Sequence, residues 1–283
     1  MPLGDFIRRC REALTALYPA REAGDIASLR CTERLSLEAH APMLHPEMPL
    51  SKAQVRALEE DLARLLRSEP LQYVLGIAPF YGRNFRVSPA VLIPRPETEL
   101  LVEMALGALD SARPGARVLD LCTGSGCIAW SLLLERPSLE VTAVDLSAEA
   151  LRIAASQFPG GPSPRFLQAD VLSLPGIDGG PFDLIVANPP YILESQKAQM
   201  RSNVLDFEPA MALFVPDGDP LCFYRAIADI ARKQLAPGGT GIVEINDALG
   251  PETAQVFAQT GFTGVSLLPD LAGRDRLVRF CGL

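Results

Sequence analysis

From residue 96 onward, short apolar runs alternate with segments of helical periodicity, and this alternation narrows the possible folds more than any other property of the chain. Strands are expected at 117–121, 141–144, 165–168, 184–187, 241–245, 265–268 and 277–280. Strands joined by helical crossovers lie parallel in one sheet, with helices on both faces. The last two runs are too close for a helical crossover and predict an antiparallel pair. The expected fold class is α/β, with a mostly parallel seven-stranded sheet over 96–283.

Upstream the texture is different. Residues 1–75 read as helices only, a small bundle suited to gripping a partner. Phe6, Ile7, Cys10, Leu14 and Leu17 share one face of a first helix, and a second is expected at 22–37. Ser51 with Gln54 forms a capping box ahead of Val55, Leu58, Leu62, Leu65 and Leu66, and Pro70 ends that helix. Residues 76–95 form a linker, with a hairpin turning at Gly82, Arg83 and Asn84 and then an extended proline-rich segment. Thr98 or Glu97 opens the next helix.

Composition excludes several classes of function. No apolar run reaches about 18 residues, so no membrane span is expected. The N-terminus lacks the basic start and apolar core of a signal peptide, which points to the cytoplasm. The six cysteines include no C-x-x-C pair and read as buried thiols in a reducing compartment. His40 and His45 have no ligand-spaced neighbours, so no metal site is expected. A net charge of −8 argues against broad phosphate-backbone contact, hence against a nucleic-acid substrate.

Two stretches carry chemistry. Residues 118–129 run strand, glycine turn, helix, with Gly124 and Gly126 allowing a ligand close to the backbone. Asp145 follows about twenty residues later at a strand end, placed to accept from ribose hydroxyls. Nicotinamide cofactors and S-adenosylmethionine both carry such a ribose. Asp120 beside the turn would attract an ammonium and repel a pyrophosphate, and Asp170 can accept from an adenine amino group; both favour S-adenosylmethionine. The second stretch, 182–191, is an apolar strand that stops at Asn188, Pro189, Pro190 and Tyr191. The Asn188 side-chain oxygen and the Pro189 carbonyl can accept both N–H bonds of a planar amide or exocyclic amine, while Tyr191 stacks on the flat group. A plain strand terminator uses the same residues.

Together, Asp120 through Gly126, Asp145, Asp170 and Asn188 through Tyr191 resemble the seven-stranded, Rossmann-like S-adenosylmethionine methyltransferases that modify amino or amide nitrogens. The stretches 69–76, 92–99, 207–209 and 270–276 narrow the resemblance to the release-factor glutamine N5-methyltransferase (HemK/PrmC) family, over nearly the whole chain. That resemblance implies methylation of the glutamine in the Gly-Gly-Gln motif of class 1 peptide chain release factors. The protein is expected to be a monomer. The resemblance also implies that Cys122, Thr123, Gly124, Ser125, Gly126, Asp145, Asp170, Val171 and Asn188 line the cofactor site. Asn188, Pro189 and Tyr191 would act in catalysis, with Pro190 and Arg95 also on the substrate. Arg95 between prolines equally suits a hinge ion pair, and Glu244 reads as structural.

The chain departs from the family pattern at Val171, where an aromatic residue is common, at Pro220, and at Asn246, where glycine is common. Competing substrates are a ribosomal-protein glutamine and the adenine N6 position in nucleic acid. A release-factor-binding protein without catalysis belongs to a different class and would have no use for the intact tetrapeptide.

Overall fold

The computed structural model describes residues 1–110 and 114–282. It opens with helices α1 (Leu3–Leu14), α2 (Ala20–Leu35), α3 (Ala41–Leu44), α4 (Lys52–Leu65) and α5 (Leu71–Leu75), followed by strands β1 (Ile77–Phe80) and β2 (Arg83–Arg86). Next come α6 (Glu99–Ala108), β3 (Arg117–Leu121), α7 (Cys127–Glu135), β4 (Glu140–Asp145), α8 (Ala148–Ala155), β5 (Arg165–Gln168) and β6 (Phe182–Ala187). The remainder holds β7 (Ile192–Leu193), α9 (Ser202–Leu205), β8 (Phe214–Val215), α10 (Cys222–Gln234), β9 (Leu235–Glu244), α11 (Gly250–Thr260), β10 (Thr263–Pro269) and β11 (Asp275–Cys281). The chain divides into two compact units: Met1–Ile77 with Arg201–Phe207, and Ala78–Met200 with Glu208–Leu283.

The first unit is helical. Leu3, Phe6, Cys10 and Leu14 bury one face of α1 against Ile26, Ala27, Leu58 and Leu62. Ser51 caps α4 through both arms of a capping box, its hydroxyl accepting from Gln54 N–H and Gln54 Oε1 accepting from Ser51 N–H. Helix α2 begins and ends two residues earlier than expected, because Ser36 takes a left-handed conformation (φ 52°) and stops it. Its buried face includes charged Arg30, which donates to the Leu58 carbonyl and to Cys10 Sγ.

In the second unit the sheet order is β10-β11-β9-β6-β3-β4-β5. Strands β5, β4, β3, β6 and β9 are parallel, while β11 and β10 add an antiparallel edge. Chain order reverses between β3 and β6, since the chain leaves β3 for β4 and β5 on one side and returns to β6 on the other. Open α/β sheets bind ligands outside the carboxyl ends of the strands at such a switch point. Leu121 pairs with both Val144 and Ala187, so the turns after β3, β4 and β6 emerge side by side.

Three details depart from expectation. The hairpin turns at Tyr81 and Gly82, not at 82–84, and both have positive φ (47° and 71°), as a two-residue type I′ turn requires. Residues 78–95, read as linker, pack with the sheet unit: Phe80 and Phe85 are buried in its core. Residues 235–239, whose Pro237, Gly238 and Gly239 suit a turn ahead of the expected strand at 241–245, are absorbed into β9 as a bulge. Pairing with β6 jumps there from Phe182–Leu235 to Leu184–Thr240. Of the six free cysteines, Cys10, Cys31 and Cys127 are buried and the other three only partly so. No helix among the described residues is long and apolar enough to cross a membrane.

Candidate active site

A cleft of about 1070 Å³ of atom-free space, open at its mouth, lies over the switch point. Its wall includes Cys122, Thr123, Gly124 and Ser125 after β3, Asp145 after β4, Asp170 and Val171 after β5, and Asn188 and Pro190 after β6. Residues widely separated in sequence meet here because four parallel strands end in register.

The turn after β3 is built for close approach. Gly124 has φ 55°, and a Cβ there would meet nothing within 4 Å. Gly126 has φ 79° and does not line the cleft. A Cβ on it would lie 3.0 Å from Ala154 Cβ and 3.1 Å from Trp130 Cδ1, so its role is to let α8 and α7 pack beneath the turn. Cys122 also has positive φ (60°), an uncommon conformation for a side chain with a Cβ. Burial, with Asp145 next in effect, pushes its thiol well above the ordinary range, so it stays protonated.

Asp145 accepts from Gly124 N–H (2.8 Å) on Oδ2 and from Ser147 N–H (2.9 Å) on Oδ1. Each oxygen keeps a further lone pair for an outside donor, and the paired bonds fix the carboxylate plane. Burial raises its pKa, with those N–H groups opposing the shift. Asp170 accepts from Leu172 N–H through Oδ1. Val171 is buried, yet Leu146 and Leu172, each about half exposed, add apolar wall that the sequence did not advertise.

Asp120 does not line the cleft. It is fully buried behind the turn; Oδ2 accepts from Thr123 Oγ1 at 2.5 Å, and Oδ1 has no hydrogen-bond partner among the described residues. Burial pushes its carboxyl from 3.8 up to about 7. Asp120 is therefore not placed to touch an ammonium in the cleft, contrary to the sequence reading; the open glycine cradle and the two-oxygen acceptor at Asp145 fit a cofactor with a ribose diol.

At the β6 end, Asn188 Nδ2 donates to Thr98 Oγ1 (3.2 Å), and Thr98 Oγ1 donates to Glu244 Oε2 (2.7 Å). Tyr191 Oη donates to Glu244 Oε1 (3.0 Å). Pro189 is buried and Tyr191 half-buried, and neither borders the main cleft. Tyr191 instead lines a separate recess with Asn246, Gln196 and Arg276. Burial and then Glu244 hold the Tyr191 phenol far above its usual range, so it remains a donor. Asn246 donates from Nδ2 to the Tyr191 carbonyl (3.0 Å), a strut that a glycine could not supply.

Arg95 reaches the cleft wall while ion-paired to buried Glu208 at 2.5 Å. The other Glu208 oxygen accepts from Ile93 N–H at 3.2 Å, anchoring the extended segment along the cleft. Sequence reading gave Glu208 only as part of a resembling stretch and no role of its own, and gave Thr98 only as one of two helix openers; Thr98 does directly precede α6. Its hydroxyl makes no cap bond to α6 and is turned to Glu244 instead.

Residues 118–206 match the methyltransferase domain family, and together with the switch-point cleft this places the sheet unit among the Rossmann-like methyltransferases. Residues 5–76 match the PrmC N-terminal domain. The release factor glutamine methyltransferase of Bacteroides thetaiotaomicron is 43% identical over 95% of this chain and 96% of its own length. That of Cereibacter sphaeroides is 40% identical over 95% and 97%. The solved protein-(glutamine-N5) methyltransferase (release factor-specific) of Alicyclobacillus acidocaldarius is 33% identical, covering 70% of this chain and 99% of its own, with a TM-score of 0.43. The chain belongs to the release factor glutamine methyltransferase family.

Proposed function

We propose that this protein transfers a methyl group from S-adenosylmethionine to the side-chain amide nitrogen of the glutamine in the Gly-Gly-Gln motif of class 1 peptide chain release factors. The observation that carries the reading is Asn188: its Nδ2 is committed to Thr98, leaving Oδ1 as an acceptor beside a cleft that fits the cofactor.

Asp145 would take the ribose diol, Gly124 with its neighbours the amino-acid tail, and Asp170 with Val171, Leu172 and Leu146 the adenine. When bound, the cofactor supplies an electrophilic methyl group on a sulfonium. The protein's own residues do the rest. An amide nitrogen is a weak nucleophile because its lone pair is shared with the carbonyl. Asn188 Oδ1 and the Pro189 carbonyl would hold its two N–H bonds, orienting the nitrogen for in-line attack. Positioning of this kind supplies up to about 7–11 kcal/mol. No strong base is needed, because the nitrogen acidifies as its new bond forms and the proton leaves afterwards. Tyr191 acts by shape and by its bond to Glu244, and Arg95 steadies the segment bordering the substrate's path. The helical unit would recognise the release factor, in the cytoplasm and as a monomer.

Mass spectrometry of a release factor incubated with the protein and S-adenosylmethionine tests this directly. The expected result is one added methyl on the Gly-Gly-Gln glutamine. Cofactor binding without that gain would move the substrate to a ribosomal-protein glutamine, and no cofactor binding at all would overturn the cleft assignment.

A further inference from the structure

The side chain of Asn188 has two ends of nearly equal shape and opposite chemistry: the carbonyl accepts and the NH2 donates. Only one orientation can hold an N–H of a substrate amide, so something must set it. A threonine hydroxyl has a single proton, and Thr98 Oγ1 lies 2.7 Å from Glu244 Oε2 and 3.2 Å from Asn188 Nδ2. The hydroxyl is the donor to Glu244 Oε2, so its one proton is committed there and Thr98 can only accept from Asn188. Tyr191 donates to the second Glu244 oxygen, so that carboxylate receives from both sides. Thr98 and Glu244 are 2% and 1% exposed, which leaves water little chance to replace either link.

We infer that Thr98 and Glu244 are positioning residues whose hydrogen bonds hold the Asn188 carbonyl oxygen toward the substrate amide. The inference rests on the reading that Asn188 binds that amide. Three elements distant in sequence converge to make the chain: the turn before α6, the end of β6 and the end of β9. With Thr98 in place, a flipped Asn188 would set its carbonyl against a hydroxyl whose proton is already committed, and would point NH2 at an NH2.

The test is a double-mutant cycle with a class 1 release factor and S-adenosylmethionine. Thr98→Val keeps shape and removes the hydroxyl; kcat should fall about tenfold or more, the loss of one well-placed hydrogen bond. KM and cofactor affinity should stay within about twofold. Thr98→Ser should restore most of kcat. In an Asn188→Ala background, Thr98→Val should cost almost nothing further, because residues that act through one group are not additive. Thr98→Ala, which also lacks the hydroxyl, offers a second route should the valine variant not fold, and kcat should again fall with cofactor affinity unchanged. A normal kcat in the folded Thr98→Val or Thr98→Ala variant, or an equal loss in both backgrounds, overturns the inference. Normal turnover in Asn188→Ala alone would instead sink the reading of Asn188 itself.

Discussion

Asn188 and Asp145 occupy one cleft and are expected to fail in different ways. Asn188→Ala removes the acceptor for a transition-state contact and should lower kcat by about 10²–10³, the effect of deleting one preorganised partner. Cofactor affinity, measured by calorimetry, should change little. Asp145→Ala should do the reverse and weaken cofactor binding by at least about tenfold, because it also releases Gly124 N–H and Ser147 N–H from the turn. Unaltered affinity in that variant would dismiss the ribose assignment. Both residues were legible in the sequence because each stands at the carboxyl end of an apolar strand, where continuous burial ends and chemistry begins. Thr98 and Glu244 were not. Their significance lies in a bond across 146 positions, and no local pattern encodes a partner that only the sheet brings near. Asp120 shows the opposite limit: its closeness to the turn was legible, but its place behind the cleft wall was not.

Among elements, the parallel strands could be read because continuous apolar runs mark strands covered on both faces. Their neighbours in the sheet could not, since pairing is set by packing across the core. Gly241 makes the point. In sequence it is an unremarked residue of β9, yet it pairs with Phe280 of β11, and a Cβ there would fall 2.0 Å from the Phe280 ring. Phe280 in turn stacks on Phe257 of α11 at 4.2 Å between centroids, so the ring has little room to retreat. Gly241→Ala should therefore destabilise the protein by about 1–3 kcal/mol through overpacking, read as a lower midpoint in chemical denaturation. An unchanged midpoint would mean that Phe280 moves freely. The hairpin was legible but the position of its turn was not, nor was the bulge at the start of β9, for a related reason: positive-φ residues such as Tyr81 and Gly238 place a turn by tertiary fit as much as by type.

For the molecule as a whole, a buried acid at the switch point ties stability to pH. Asp120 carries its proton up to about pH 7 in the folded state, against an ordinary value of 3.8. Between those values the native state binds more protons than the unfolded state, so unfolding free energy falls as pH rises. The stabilisation is complete below about pH 4 and gone above about pH 7, a difference on the order of 2–4 kcal/mol. Asp145 and Glu244, also raised by burial, tilt the balance the same way. Asp270 and Asp217, whose pKa values are lowered by backbone N–H donors, tilt it the other way in the acid range. The expected outcome is a melting temperature that declines from pH 5 to pH 8, and a shallower decline in Asp120→Asn, which has no charge to bury. Saturating S-adenosylmethionine should flatten the parent's curve as well, because a cationic tail beside the turn favours the ionised carboxylate. A parent and variant with the same slope would show that Asp120 ionises freely in the folded chain, and that its unpartnered oxygen is compensated by something other than a proton.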